Sequence, residues 1–234
     1  MTIYEENMIR VQTILKQGIG ILKENYTVRK LDAGEFESII TSGTNFRIAH
    51  YEIENVGHLM TMHTEDNPQM QLATFTIVPF YKKLPLLSSD FMYYGDDGIF
   101  LIEIYELVIN RKDEQFQEWI RKYDENFKDI SDIEDNPTKS CFYDSIRPVF
   151  ASKKRNPSRD LASIQNMIDT LKIFIEQEHA SEFLDEREAA EQKAIQSQYV
   201  DDLIDQSGIS TSIWVEEHGQ DYVRRFYHEV FFSV

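Results

Sequence analysis

Between Phe46 and Leu107 five runs of strand-forming residues follow one another with only short polar breaks: FRIAHYEIE, HLMTMHT, MQLATFTIVP, SDFMYY and IFLIEIYEL. Their β-branched and aromatic residues suit a pleated, half-buried surface. Two parallel neighbours need a crossover of a dozen or more residues, usually a helix, and the breaks leave no room for one. The sheet is therefore expected to be antiparallel. Gly95-Asp96-Asp97-Gly98 joins the last two runs as a hairpin turn.

On either side the apolar period is helical. Met8, Val11, Leu15, Ile19 and Leu22 share one face of a first helix. Beyond Asn110, Phe116, Trp119, Ile120, Tyr123 and Phe127 form a second stripe, and Leu161, Ile164, Ile168, Leu171 and Ile175 a third after the turn signal Asn156-Pro157-Ser158. Residues 181–206 read as a charged helix on the rim, and Trp214, Tyr222, Val223, Phe226, Val230 and Phe231 as a final helix running almost to the terminus. The acidic stretch from Asp124 to Asp135 reads as a solvated loop. Helix, meander, then several helices is the order of an α+β protein: a three-layer α/β/α sandwich with a central antiparallel sheet. Six prolines and nine glycines are too scattered to mark a linker, so residues 1–234 read as a single domain.

Charge and motifs narrow the function. With 24 Lys+Arg against 41 Asp+Glu the formal net charge is −17, which argues against a nucleic-acid partner. One cysteine, Cys141, allows neither an internal disulfide nor a paired-thiol metal site. No apolar run approaches the roughly 18 residues of a membrane span, and the start MTIYEENMIR resembles neither a secretory signal nor a transit peptide. The expected location is the cytoplasm, or an organelle stroma if a transit peptide has been removed, and the exposed charge favours a monomer. Gly18-Ile19-Gly20 lacks the preceding strand and third glycine of a dinucleotide fingerprint, and no Walker A, HExxH or GxSxG sequence occurs. An enzyme of this sequence would work by acid-base chemistry, or by redox chemistry with an external electron donor.

The segment Phe75-Thr76-Ile77-Val78-Pro79, then Lys83-Leu84-Pro85-Leu86-Leu87-Ser88-Ser89-Asp90-Phe91-Met92 and a Gly-bounded hairpin, resembles the central hairpin of the ferredoxin-dependent bilin reductases. His50-Tyr51-Glu52, Ile146-Arg147-Pro148 and Gly219-Gln220-Asp221-Tyr222-Val223 continue the likeness in order, over residues 46 to 234. The resemblance implies an α/β/α sandwich that holds biliverdin or a related open-chain tetrapyrrole between the sheet and the C-terminal helices. It implies no bound metal or flavin, single electrons from external reduced ferredoxin, and protons from side chains.

Asp90 matches the family aspartate that protonates the bilin. Strand alternation puts it on one face with Met92 and Tyr94, where an apolar setting would raise its pKa and keep it protonated near neutral pH. As a residue following Ser88-Ser89 it would instead cap a turn; the surrounding LPLLSSD pattern favours the donor. By resemblance Glu52 is a second proton donor, His50 a propionate contact, and Arg147 a propionate-binding arginine. The bland alternatives are an exposed edge face for His50 and Glu52 and a surface ion pair for Arg147. Thr74 stands where some members carry a histidine beside the aspartate, and Asp205 is nearest to a second family aspartate, in a stretch running into Gln206-Ser207-Gly208.

An acidic ferredoxin would need a local cationic patch. Lys153, Lys154 and Arg155, with Arg159 and Lys82-Lys83, are the candidates; a solvated basic loop balancing nearby acids is the alternative. Two rival functions share the fold: a tetrapyrrole-binding protein without catalysis, motivated by Thr74, and reduction of a related open tetrapyrrole, as in the red chlorophyll catabolite reductases.

Overall fold

The computed structural model describes residues 1–206 and 211–234. Its centre is an eight-stranded sheet of β1 (Val28–Lys30), β2 (Ser38–Thr41), β3 (Thr44–Ile53), β4 (Gly57–Glu65), β5 (Gln71–Pro79), β6 (Leu86–Tyr94), β7 (Asp97–Tyr105) and β8 (Val149–Lys154). The strands lie in the order β1-β3-β4-β5-β6-β7-β8, with β2 also on β3, and every pairing is antiparallel. This is the meander that the short breaks demand.

Helices α1 (Ile3–Asn25), α2 (Glu114–Phe127) and α3 (Asp160–Ala180) cover one face. Helices α4 (Glu186–Asp205), α5 (Thr211–His218), α6 (Gln220–Phe226) and a π turn at Tyr227–Phe231 cover the other. The result is the expected three-layer α/β/α sandwich. Strand alternation divides each strand between the two cores. Phe75, Ile77, Leu87, Phe91, Ile102 and Ile104 pack towards α1–α3, and Met60, Met62, Val78, Leu86 and Tyr105 towards α4–α6. Burying one such large apolar side chain contributes about 1.5 to 3 kcal/mol.

Local signals explain the helix starts. Thr2 caps α1 by accepting the Glu5 N–H, while Glu5 accepts the Thr2 N–H at 2.7 Å. Gly18 lets α1 lie close on the sheet: a Cβ there would sit 2.7 Å from Cε2 of Phe75. Gly18 therefore serves helix–sheet packing, whereas a Cβ at Gly20 would meet nothing within 4 Å.

Four expectations are corrected. Leu161 is 81% exposed, because the first turn of α3 instead buries Asp160, which bonds Arg10 and Arg155. The acidic stretch Asp124 to Asp135 is not a solvated loop: it completes α2, then buries Ile130 and Ile133 and runs beside β8, with the Lys154 N–H donating to the Glu134 carbonyl at 2.8 Å. Helix α4 is not a rim helix; Tyr199, Val200, Leu203 and Ile204 are buried against the sheet. The final helix is broken at Gly219, whose φ of +83° is a left-handed conformation that favours glycine. Among the described residues, no helix is long and apolar enough to cross a membrane.

Candidate functional site

The face towards α1–α3 is apolar, but in the middle of the other face the floor becomes polar. Thr74 on β5 and Asp90 on β6 are directly opposite one another, as are Thr76 with Ser88, and Ser88 with Glu103 on β7. Thr74 Oγ1 donates to Asp90 Oδ1 at 2.5 Å, and the hydroxyls of Thr76 and Ser88 lie 3.1 Å apart. Asp90 is the diagonal neighbour of Glu103, about 7 to 8 Å away between Cα atoms.

Above this floor is a cavity of about 110 Å³. Ser88, Asp90 and Glu103 line its base, Tyr105, Tyr143 and Tyr199 one side, and Tyr227, Phe231 and Phe232 of the C-terminal segment its roof. Tyr105 packs edge to face on Tyr143, with ring centroids 5.9 Å apart, and at a tilt on Tyr199, with centroids 5.4 Å apart. Asp90 is half-buried, and what remains accessible opens on this small cavity, so the carboxyl is as poorly solvated as a buried one. Burial pushes its pKa up to about 7; the Thr74 hydrogen bond pulls against that rise and the nearby Glu103 adds to it. Near neutral pH Asp90 is thus divided between acid and base. Burial also keeps Tyr105, Tyr199 and Tyr227 as neutral phenols.

Glu103 is the group that the sequence reading missed. Its Oε1 accepts from Arg147 at 2.5 Å and from the Tyr105 hydroxyl at 3.1 Å. Arg147 also donates to Asp144 at 2.6 Å and stacks over Phe150, 3.5 Å from the ring centroid. A groove of about 320 Å³ lies on that side, lined by Thr138, Lys139, Ser140, Asp144, Arg147 and Phe150. The Glu103–Arg147 pair stands between cavity and groove. Among the described residues, no three His, Cys, Asp or Glu side chains are grouped to hold a metal ion.

No family model and no curated protein matches the sequence. The fold does have a counterpart: the crystal structure of phytochromobilin synthase from tomato in complex with biliverdin superposes with a TM-score of 0.76 at 12% identity, covering 94% of this chain and 82% of that one. The chain has the phytochromobilin synthase fold. The likeness that the LPLLSSD hairpin suggested is therefore met at the level of architecture.

Within that fold the expected site residues separate. Asp90 lies on the cavity floor, with Thr74 buried and bonded to it. Met92 is on the same face and packs in the α4–α6 core, with the Tyr94 hydroxyl 3.5 Å from its sulfur. Arg147 is buried and meets the cavity through Glu103. Glu52 is not brought in: it pairs with Arg29 at 2.5 Å across β1–β3, and three strand spacings, about 14 Å, separate its strand from β6. His50 is buried rather than exposed, within 3.1 Å of the Asp32 carbonyl through Nε2 and packed on His58 at 5.3 Å, away from the cavity. Asp205 is exposed and bonds Arg224 and Gln220; Ser207 and Gly208 beyond it lie outside the described residues.

The expected cationic patch does not form. Lys153 pairs with Asp135 at 2.6 Å, Lys154 with Glu134, Arg155 with Asp160 at 2.9 Å and Arg159 with Asp132 at 2.9 Å. Arg155 is buried beneath the hairpin and donates to the Gly95 carbonyl at 2.6 Å. Lys82 and Lys83 are likewise paired, with Glu178 and Asp113. The acidic and basic stretches neutralise each other.

Proposed function

We propose that this chain reduces biliverdin or a related open-chain tetrapyrrole by coupled single-electron and proton transfers. The observation that carries the reading is Asp90, a carboxyl held near pKa 7 at the base of an aromatic-walled cavity, in a fold shared with a biliverdin-bound synthase. The cavity is smaller than the roughly 300 to 1,000 Å³ of sites for drug-sized ligands. Entry of a bilin therefore displaces the roof of Tyr227, Phe231 and Phe232, in the segment that follows the break at Gly219.

In this scheme the tyrosine and phenylalanine walls hold the conjugated plane, and Arg147 receives a propionate from the groove side. Asp90 gives its proton to the bilin after an electron arrives, and Thr74 steadies the carboxylate left behind. Two electrons and two protons together saturate one double bond. The electrons come from an external one-electron donor of the ferredoxin type, and the chain brings no bound metal or flavin of its own.

The test is an anaerobic mixture of the protein, biliverdin and a reduced ferredoxin system, followed by absorption spectroscopy and product analysis. A visible-band shift on mixing and a reduced product are expected; absence of both sinks the reading. A stable bilin spectrum that reduced ferredoxin leaves unchanged would identify a non-catalytic carrier, the outcome that Thr74 in place of a histidine favours.

A further inference from the structure

The Arg147 site carries a charge imbalance that bears on the cavity. One guanidinium, with its side chain 6% exposed, serves two carboxylates: Glu103 on the cavity side and Asp144 on the groove side. Its Nε is buried with no hydrogen-bond partner among the described residues. Asp144 is well fixed as an anion, because the Cys141 N–H, the Ser140 hydroxyl and Arg147 all donate to it and hold its pKa down. Glu103 is less secure. Burial pushes its pKa up, and among the described residues only Arg147 and the Tyr105 hydroxyl pull it down.

Both of those donors fall on Oε1, and no donor among the described residues reaches Oε2. Among the described residues, the other ionisable groups around Glu103 give it no cation. Asp90 faces it from β6, Tyr143 from the turn before Arg147, Tyr199 from α4 and Tyr227 from the C-terminal roof. Lys139 lies on the groove, but it is exposed, and water screens it from the buried pair.

A third carboxylate arriving at Arg147 would leave three anions on one buried cation. That is unfavourable unless one anion is discharged. We propose that Arg147 is a shared counterion: a ligand carboxylate bound from the groove takes over the guanidinium and drives Glu103 to take up a proton, placing a second protonated carboxyl beside Asp90. The proton comes from solvent and stays on Glu103, so no oxidant or reductant is involved. Binding of an anionic ligand thereby loads the cavity with a proton before any electron arrives. This inference rests on the bilin reading for its ligand, whose two propionates supply the carboxylate.

Two measurements separate the inference from that reading. In the first, carbon-13 NMR of side-chain carboxyls in the full, ligand-free chain follows the Glu103 titration, assigned by its loss in Glu103→Gln. Replacing Arg147→Gln is expected to move that titration to higher pH; an unmoved titration in a folded variant overturns the coupling. In the second, the unmodified chain is titrated calorimetrically near pH 7 with biliverdin, and with its dimethyl ester, in buffers of different ionisation enthalpy. Biliverdin is expected to bring uptake of about one proton per pigment bound more than its ester, any exchange at Asp90 being common to the two. Glu103→Gln abolishes that difference. Biliverdin that binds with no more proton uptake than the ester overturns the inference and leaves the bilin reading standing. If neither pigment binds, the bilin reading fails and the NMR comparison alone decides the coupling.

Discussion

The two faces of the sheet are built from the same strands, yet they serve opposite ends. Towards α1–α3, β5 offers Ala73, Phe75 and Ile77, all fully buried, and β7 offers Phe100, Ile102 and Ile104. One residue along, the same strands offer Thr74, Thr76, Glu103 and Tyr105 to the other layer. The first face closes on itself and supplies stability. The second keeps hydrogen-bonding groups out of water over a small cavity, which costs stability and shifts a carboxyl to a useful pKa. A rigid apolar face behind the sheet is what allows the polar face to be held in place.

The sharpest way to break this division is to exchange the effects of the two faces. Asp90→Asn should lower bilin turnover by about 10² to 10⁴-fold while binding persists. It should also stabilise the protein. The folded pKa of about 7 lies above the ordinary carboxylate value near 4, so the stability that Asp90 contributes is present at low pH and is lost as pH rises from about 4 through 7. Thermal melts should show the variant roughly 2 to 4 kcal/mol more stable than the parent at pH 8, with the gap closing towards pH 4. Unchanged turnover would reject the assigned role.

Phe75→Ala, on the opposite face of the neighbouring strand, should do the reverse: a loss of about 3 to 5 kcal/mol in denaturant unfolding, with bilin affinity of the folded fraction unaltered. Selective loss of affinity at unchanged stability would dissolve the distinction. A smaller effect is expected at Thr74→Val, about 1 kcal/mol of stability. Because the lost hydrogen bond had been holding the Asp90 pKa down, the alkaline limb of the pH–rate profile, where the proton donor is lost, should move to higher pH. The smallest is Glu52→Gln, within about 0.5 kcal/mol of the parent, since an exposed pair with Arg29 is worth little. Assays should find turnover unchanged, and a large drop would return Glu52 to the site.

The meander was legible because period-2 runs with short breaks have one topological solution. The face of Asp90, shared with Met92, was legible from strand alternation. Glu103 left a weaker trace: a single acid among IFLIEIY, on a sheet expected to be covered on both sides, must be buried, and a buried acid requires a partner. That partner, Arg147, is 44 residues away, and spacing does not reveal it. Glu52 and His50 lie apart from the cavity lining, because shared strand parity places residues on a face without saying how far along the sheet the cavity lies. The basic stretch misled for a related reason. Lys153, Lys154 and Arg159 read as a patch only while Asp132, Glu134 and Asp135 are unseen, and chain folding brings those acids back along β8.

That internal neutralisation has a kinetic consequence. The pairs leave no cationic lobe at the basic stretch to offset the net −17, so a negatively charged electron carrier approaches against the field. Added salt shortens the reach of that repulsion. Reduction by an acidic donor should accordingly speed up as ionic strength rises, opposite to the usual behaviour of electrostatically steered electron-transfer partners.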